Sequence, residues 1–237
     1  MSGSELLEKG ERLHGRIQKR KYLILTLPLV FLLILYPYLE GSPAGTIFLK
    51  FLSTATLITA VYAVSDRRRP LCVALILAIP AIGTGWIGLV YTDAGFVLAQ
   101  SVSSMLLYAF TTIMIIRSLI RGRLNDDMIF GAISVYLLMG ITWATAYMSL
   151  EGSDISAFLV NHGNGIGGLP AFSDFLYFSF ITLTTVGYGD IIPLSATARS
   201  LAYLEAVSGT LFMAVFIARL IGALASHQEA PAEKKQR

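Results

Sequence analysis

Thr184-Thr185-Val186-Gly187-Tyr188-Gly189-Asp190 is the stretch on which the reading of this chain turns. β-Branched and aromatic residues alternate with glycines in a tight run. Such a run makes a poor helix, because glycine costs about 1 kcal/mol in a helix interior. It makes a poor strand too, because two glycines leave gaps on the pleat. It suits an extended backbone that turns its carbonyls to one side, since glycine reaches conformations that other residues avoid. A row of carbonyls facing one axis is an ion ligand.

The rest of the chain is apolar enough to hold such a ligand inside a membrane. Of its 237 residues, 55% are hydrophobic and only 14% charged, against about 25% charged in an ordinary soluble domain. The net charge of +3 is not a nucleic-acid signature. The single cysteine, Cys72, excludes an intrachain disulfide, and no Cys/His cluster suggests zinc. Residues 1–21 are polar and basic and read as a retained interfacial segment, its late positive charges near anionic headgroups.

Six apolar segments follow: Tyr22–Leu39, interrupted by Pro28 and ending near Pro37, then Thr46–Val64, Pro70–Tyr91, Gly95–Ile120, Phe130–Leu150 and Leu201–Leu224. Each is close to the roughly 20 residues that cross the hydrocarbon core as a helix. Ser173–Thr184 has only 12 residues, which suits a re-entrant helix capped by Ser173 or Asp174. With both termini placed in the cytoplasm, 16 of the 18 Lys and Arg residues fall inside, and only Lys50 and Arg199, both expected near helix starts, fall outside. That positive-inside bias puts the 184–190 stretch at the outer face. Gly83-Thr84-Gly85-Trp86-Ile87-Gly88 matches G-x-G-x-x-G, but it lies within an apolar span containing Pro80. It reads as small residues that admit a neighbouring helix, plus a kink. Between Gly95 and Ile116 there is no Lys or Arg, so the fourth segment lacks the charges of a voltage sensor. Asn125 or Asp126 is the expected cap of the fifth helix. The loop of residues 151–172 carries Glu151 and a lone His162.

The TTVGYGD motif, with a short helix before it and a span on each side, resembles the selectivity filter of potassium channels, whose carbonyls replace the ion's water shell. The close resemblance covers about residues 129–225; residues 22–120 are similar to a voltage-sensor domain in helix number only. The resemblance implies potassium ligands at Thr185, Val186, Gly187, Tyr188 and Gly189, with the side chains of Val186 and Tyr188 packed into the pore-helix layer. It implies that Asp190 bonds to an aromatic residue of the pore helix. The family's usual tryptophan pair is replaced by Tyr177, which can donate a hydrogen bond, and Phe178, which cannot. It matches Gly209 to the inner-helix hinge, with close packing against the pore helix as the alternative. Thr210, Met213 and Ile217 are then expected to line the cavity, and Ala218 and Ile221 to narrow its mouth. Glu205, the one acidic residue inside the last span, is expected behind the filter as support, bonded to pore-helix hydroxyls such as Thr182 or Thr184, or to water.

The chain therefore reads as an all-α membrane protein with six transmembrane helices, a re-entrant pore helix and a filter loop. One filter per chain implies a homotetrameric pore. The expected divisions are 1–21, a basic N-terminal segment; 22–120, a four-helix non-sensing domain; 121–128, a linker; 129–225, the pore domain; and 226–237, a tail too short for a ligand-gating domain. The expected protein is no enzyme. It is a voltage-insensitive or weakly voltage-sensitive potassium channel of a plasma membrane, of prokaryotic type (a bacterial inner membrane). It needs no cofactor beyond K+ as permeant ion, touches anionic lipids at its basic ends, and binds no nucleic acid. A non-conducting assembly subunit is the alternative, and an intact TVGYG argues against it. A membrane enzyme or coupled transporter would need paired ionisable residues within the spans, where only Glu205 is available.

Overall fold

The computed structural model describes residues 20–65, 68–89, 94–121, 126–153, 156–161 and 170–233. The first 19 residues, Arg67, Asn125, His162, the glycine run of 163–168 and the last four residues lie outside the described residues. The elements are α1 (Lys21–Leu39), α2 (Pro43–Ala63), α3 (Arg68–Ile87), α4 (Ala94–Arg121), α5 (Asp126–Ser153), β1 (Phe158–Val160), α6 (Phe172–Leu183), β2 (Ile191–Pro193) and α7 (Ala196–Glu233). Among the described residues, six helices are long and apolar enough to cross a membrane, and α6 is a shorter apolar helix between the last two.

Helix α1 ends at Leu39, near Pro37 as expected, but runs unbroken through Pro28. In an apolar medium a helix that stopped there would leave backbone groups with no water to satisfy them. Helix α2 starts at Pro43 rather than Thr46, because Ser42 caps it: its Oγ accepts the Gly45 amide at 3.0 Å and Pro43 occupies the first turn. Lys50 is consequently not at a helix start. It lies two turns inside α2, where its amine donates to Gln100 of α4 at 3.1 Å. Of the glycines in the 83–88 run, Gly85 and Gly88 approach Gln100 of α4, while Gly83 faces open space. Cys72 is exposed on the outside of α3.

Helix α5 is the centre of the chain. Its most apolar stretch is 61% buried, against 11% for that of α7. Val135, Leu138, Ala144 and Tyr147 are fully enclosed. A helix apolar on every side is stable only when surrounded, and α5 meets α1, α4, α6 and α7. Polar contacts set the registry with α1: Thr26 and Ser134 share a hydrogen bond of 2.8 Å. The Asp127 carboxylate accepts the Tyr22 and Leu23 amides at 3.3 and 3.2 Å. Asp127 thus caps α1, a neighbouring helix, rather than its own. Near the far end of α5, Glu151 is buried and accepts the amides of Ser156 and Phe158, which turns the chain into β1.

Candidate pore-loop site

Helix α6 begins one residue after Ala171, which has no capping side chain. Asp174 reaches back to the Ala171 amide at 2.8 Å, and Glu40, from the turn after α1, accepts the Ser173 amide at 3.2 Å. The helix start thus carries negative charge from two carboxylates, which suits the positive end of its dipole. Ser173 is not the cap. Two glycines make room for α6. A Cβ on Gly140 of α5 would meet the Phe180 ring at 2.5 Å, and one on Gly209 of α7 would meet the Leu183 carbonyl oxygen at 2.8 Å. Gly209 is therefore closely packed against the end of the pore helix.

After α6 the chain turns back on its own helix end. The amides of Val186 and Gly187 both donate to the Ile181 carbonyl, at 2.8 and 3.2 Å. Thr185, Gly187 and Gly189 have φ of 61°, 53° and 81°, whereas Val186 and Tyr188 between them stay at negative φ. Left-handed backbone at alternate residues swings successive carbonyls to a common side. Thr185 holds this conformation despite its branched side chain, at a cost of about 1–2 kcal/mol. Strain of this kind persists where the surroundings fix it, most often at functional sites.

Beyond the loop, Tyr177 Oη donates to Asp190 at 2.7 Å, and Asp190 also accepts the Ile191 amide. Its carbonyl receives the Asn161 amide, extending the ribbon in which β2 pairs antiparallel with β1, Val160 opposite Ile191. The sequence presents this region as plain loop, because three-residue strands leave too short a pattern to see. Replacing Tyr177 with phenylalanine is expected to remove one hydrogen bond worth about 1 kcal/mol. Ion flux through the mutant should decay roughly fivefold faster during sustained conduction, and a decay equal to that of the unaltered protein would show the bond to be idle.

Phe178 needs no donor. It is buried edge-on against Tyr147 and Phe158, at centroid distances of 5.2 and 5.5 Å. Val186 and Tyr188, expected in the pore-helix layer, are 51% and 73% exposed. Their own chain leaves about half or more of each side chain uncovered, although the loop returns beside α6 as far as the Tyr177–Asp190 bond.

Glu205 is fully enclosed and hence does not face a cavity. Its partners are not Thr182 or Thr184. Ser179 and Tyr147 each lie 2.5 Å from its carboxyl oxygens, and Thr184 donates to the Phe180 carbonyl of its own helix. Ser179 is on the same face of α6 as Thr182, one turn nearer the helix start. Thr210, Met213, Ile217, Ala218 and Ile221 are exposed and form a stripe along α7 distinct from the Glu205, Gly209, Phe212 and Phe216 stripe that meets the rest of the chain. Helix α7 continues to Glu233, past the expected end near Leu224.

A family profile described as ion channel matches residues 135–226, which run from within α5 through the pore loop and along α7. Protein LctB of Bacillus caldotenax is 31% identical over 121 residues, covering 51% of this chain and 90% of that protein. The chain belongs to an ion-channel family. Two-pore potassium channel 4 of Arabidopsis thaliana is 38% identical over 58 residues, which is 24% of this chain and 20% of the plant protein. Two-pore potassium channel 1 of the same plant is 42% identical over 57 residues, 16% of its length. The chain thus spans a fifth or less of these plant relatives but nearly all of LctB. It is a helical, multi-pass membrane protein of an ion-channel family.

Proposed function

We propose that the protein is a K+-selective channel that conducts passively across a plasma membrane, voltage-insensitive or nearly so, as a ring of four identical chains with both termini in the cytoplasm. The alternating backbone of Thr185–Gly189 carries this reading. Its first three amides are spent on the Thr182 and Ile181 carbonyls at the end of α6, and its own carbonyls form a file that would take the place of water around a dehydrated cation. One file cannot surround an ion, whereas four related by a rotation axis can. The exposure of Val186 and Tyr188 and of both sides of α7 supports the same assembly, because neighbouring chains would cover them. The C-terminal end of α6 directs partial negative charge toward the space below the loop, where a cation would otherwise be costly. Thr210, Met213 and Ile217 would line that space, with Ala218 and Ile221 at its mouth.

The voltage-insensitive reading rests on α4. Its first basic residue is Arg117, close to the end of the helix. A gating charge responds to the field only if it crosses it, at about 2.3 kcal/mol per charge per 100 mV. Protein reconstituted in liposomes is expected to release K+ and retain Na+, to be blocked by Ba2+, and to hold its open fraction across roughly 100 mV of either sign. Equal passage of Na+ and K+, or no passage of either, would overturn the selectivity reading.

A further inference from the structure

Five helices and the start of α6 line a cavity of about 310 Å³ at the pore-loop end of the molecule. Its walls come from the end of α1, the first half of α2, the end of α3, the first half of α4 and the second half of α5, with Ala171 and Phe172 beside them. The hydroxyls of Ser53, Thr54, Ser101 and Ser104 line it together with apolar side chains from every element, and so do two charged groups, Lys50 and Glu40. The size is at the lower end of what small-ligand pockets occupy.

Lys50 makes this cavity more than a packing gap. It stands about 10 Å along α2 from the helix start, at membrane depth, where a cation is costly and usually functional. A lysine there commonly stretches toward the interface. This one turns inward to the neutral Gln100 oxygen, and among the described residues no ion pair includes it. Glu40 shares the cavity but is directed to the Ser173 amide of α6. Thr54 and Ser101 donate to carbonyls of their own helices, so the positive group in the cavity is Lys50: a half-buried ammonium with one neutral acceptor, set among apolar walls, is a receptor for an anionic head on a hydrocarbon chain.

We propose that the cavity binds an anionic amphiphile, its carboxylate or phosphate on Lys50 and its chain along the apolar walls. The occupant would lie against Phe172 and beside the Glu40 contact, and so would touch the helix that carries the pore loop. The same head chemistry is available from a free fatty acid or from an anionic phospholipid. This proposal does not rest on K+ selectivity.

Trp86 lines the cavity and gives a direct reporter. The full chain carrying Trp143→Phe, which leaves Trp86 as the single tryptophan, would be placed in phosphatidylcholine vesicles. Quenching by dibromostearate, dibromo-phosphatidylglycerol and dibromo-phosphatidylcholine would be compared at equal mole fraction. The anionic quenchers are expected to be favoured about fivefold, the preference that one lysine near a membrane surface confers. The preference should vanish in Lys50→Gln and persist in Lys50→Arg, which also shows that the site survives substitution. Preference for dibromostearate alone assigns the source to a free acid, preference for the phosphatidylglycerol alone assigns it to lipid, and both together support the shared head chemistry. Equal quenching by all three, or an anion preference that survives Lys50→Gln, overturns the proposal.

Discussion

Gly187→Ala is expected to abolish K+ flux while leaving the chain folded. Gly187 has φ of 53°, and a Cβ built on it meets nothing within 4 Å in its own chain. A loss of function would therefore come from the backbone and not from a clash within the chain. An L-residue held in left-handed backbone costs roughly 1–2 kcal/mol, and in the proposed ring of four the cost would be incurred four times, about 4–8 kcal/mol in all. At about 1.4 kcal/mol per factor of ten, the conducting geometry would fall by roughly a thousandfold or more. Gly83→Ala is the matched control. Gly83 also faces open space, but within a helix and without positive φ, so alanine there should be neutral or stabilise by up to about 1 kcal/mol. Flux assays on both proteins, with chain folding followed by circular dichroism, check the contrast. A Gly187→Ala protein that conducts like the parent would mean that the loop does not use its alternating geometry.

The sequence made some of this legible and concealed the rest for physical reasons. Six spans and a short seventh helix follow from hydropathy, because each stretch must match the thickness of the bilayer whatever its neighbours do. The odd backbone of the pore loop follows from its glycines, because few other residues accept left-handed φ. Contacts between elements depend on how each helix is rotated and how deep it sits, which one-dimensional spacing fixes only to within a face and a turn. Ser179 shows this: it shares a face with Thr182, yet it and not Thr182 meets Glu205. Asp127 shows it again, since a carboxylate at the start of α5 satisfies the amides of α1. Hydropathy begins at Thr46, which puts Lys50 near a helix start, whereas the capped helix begins at Pro43. The Ser42-Pro43 pair was a visible signal for that earlier start. No comparable signal marked Gly140, whose contact with Phe180 needs the two helices side by side.

Glu205 carries the second large effect, and counting protons determines its form. Ser179 has one hydroxyl proton and two acceptors in reach, the Gly140 carbonyl at 2.8 Å and a Glu205 oxygen at 2.5 Å. Tyr147 has one proton, and the Glu205 carboxyl is its partner. All contacts are satisfied together only by a group at position 205 that donates toward Ser179 while accepting from Tyr147, so that Ser179 can donate to Gly140. A carboxyl that carries a proton does this, and so does the amide of glutamine. Glu205→Gln is therefore expected to keep both stability and flux close to those of the parent. Glu205→Ala removes the partner of a buried phenol, leaves Ser179 one contact short and opens a void where the carboxyl sat. The unsatisfied hydroxyl alone costs about 1–3 kcal/mol, and truncation of a buried long side chain to alanine about 2–5 kcal/mol. The alanine protein should lose roughly 3 kcal/mol or more, with α6 the first element to loosen, because Ser179 ties it at once to α5 and α7. Thermal unfolding in detergent and K+ flux in liposomes would be measured on the parent, Glu205→Gln, Glu205→Ala and Tyr147→Phe. The expected order of stability is parent and glutamine together, then Tyr147→Phe lower by about 1 kcal/mol, then alanine. A glutamine protein as damaged as the alanine one would mean that a charged carboxylate, and not a closed set of hydrogen bonds, holds the pore helix against its neighbours.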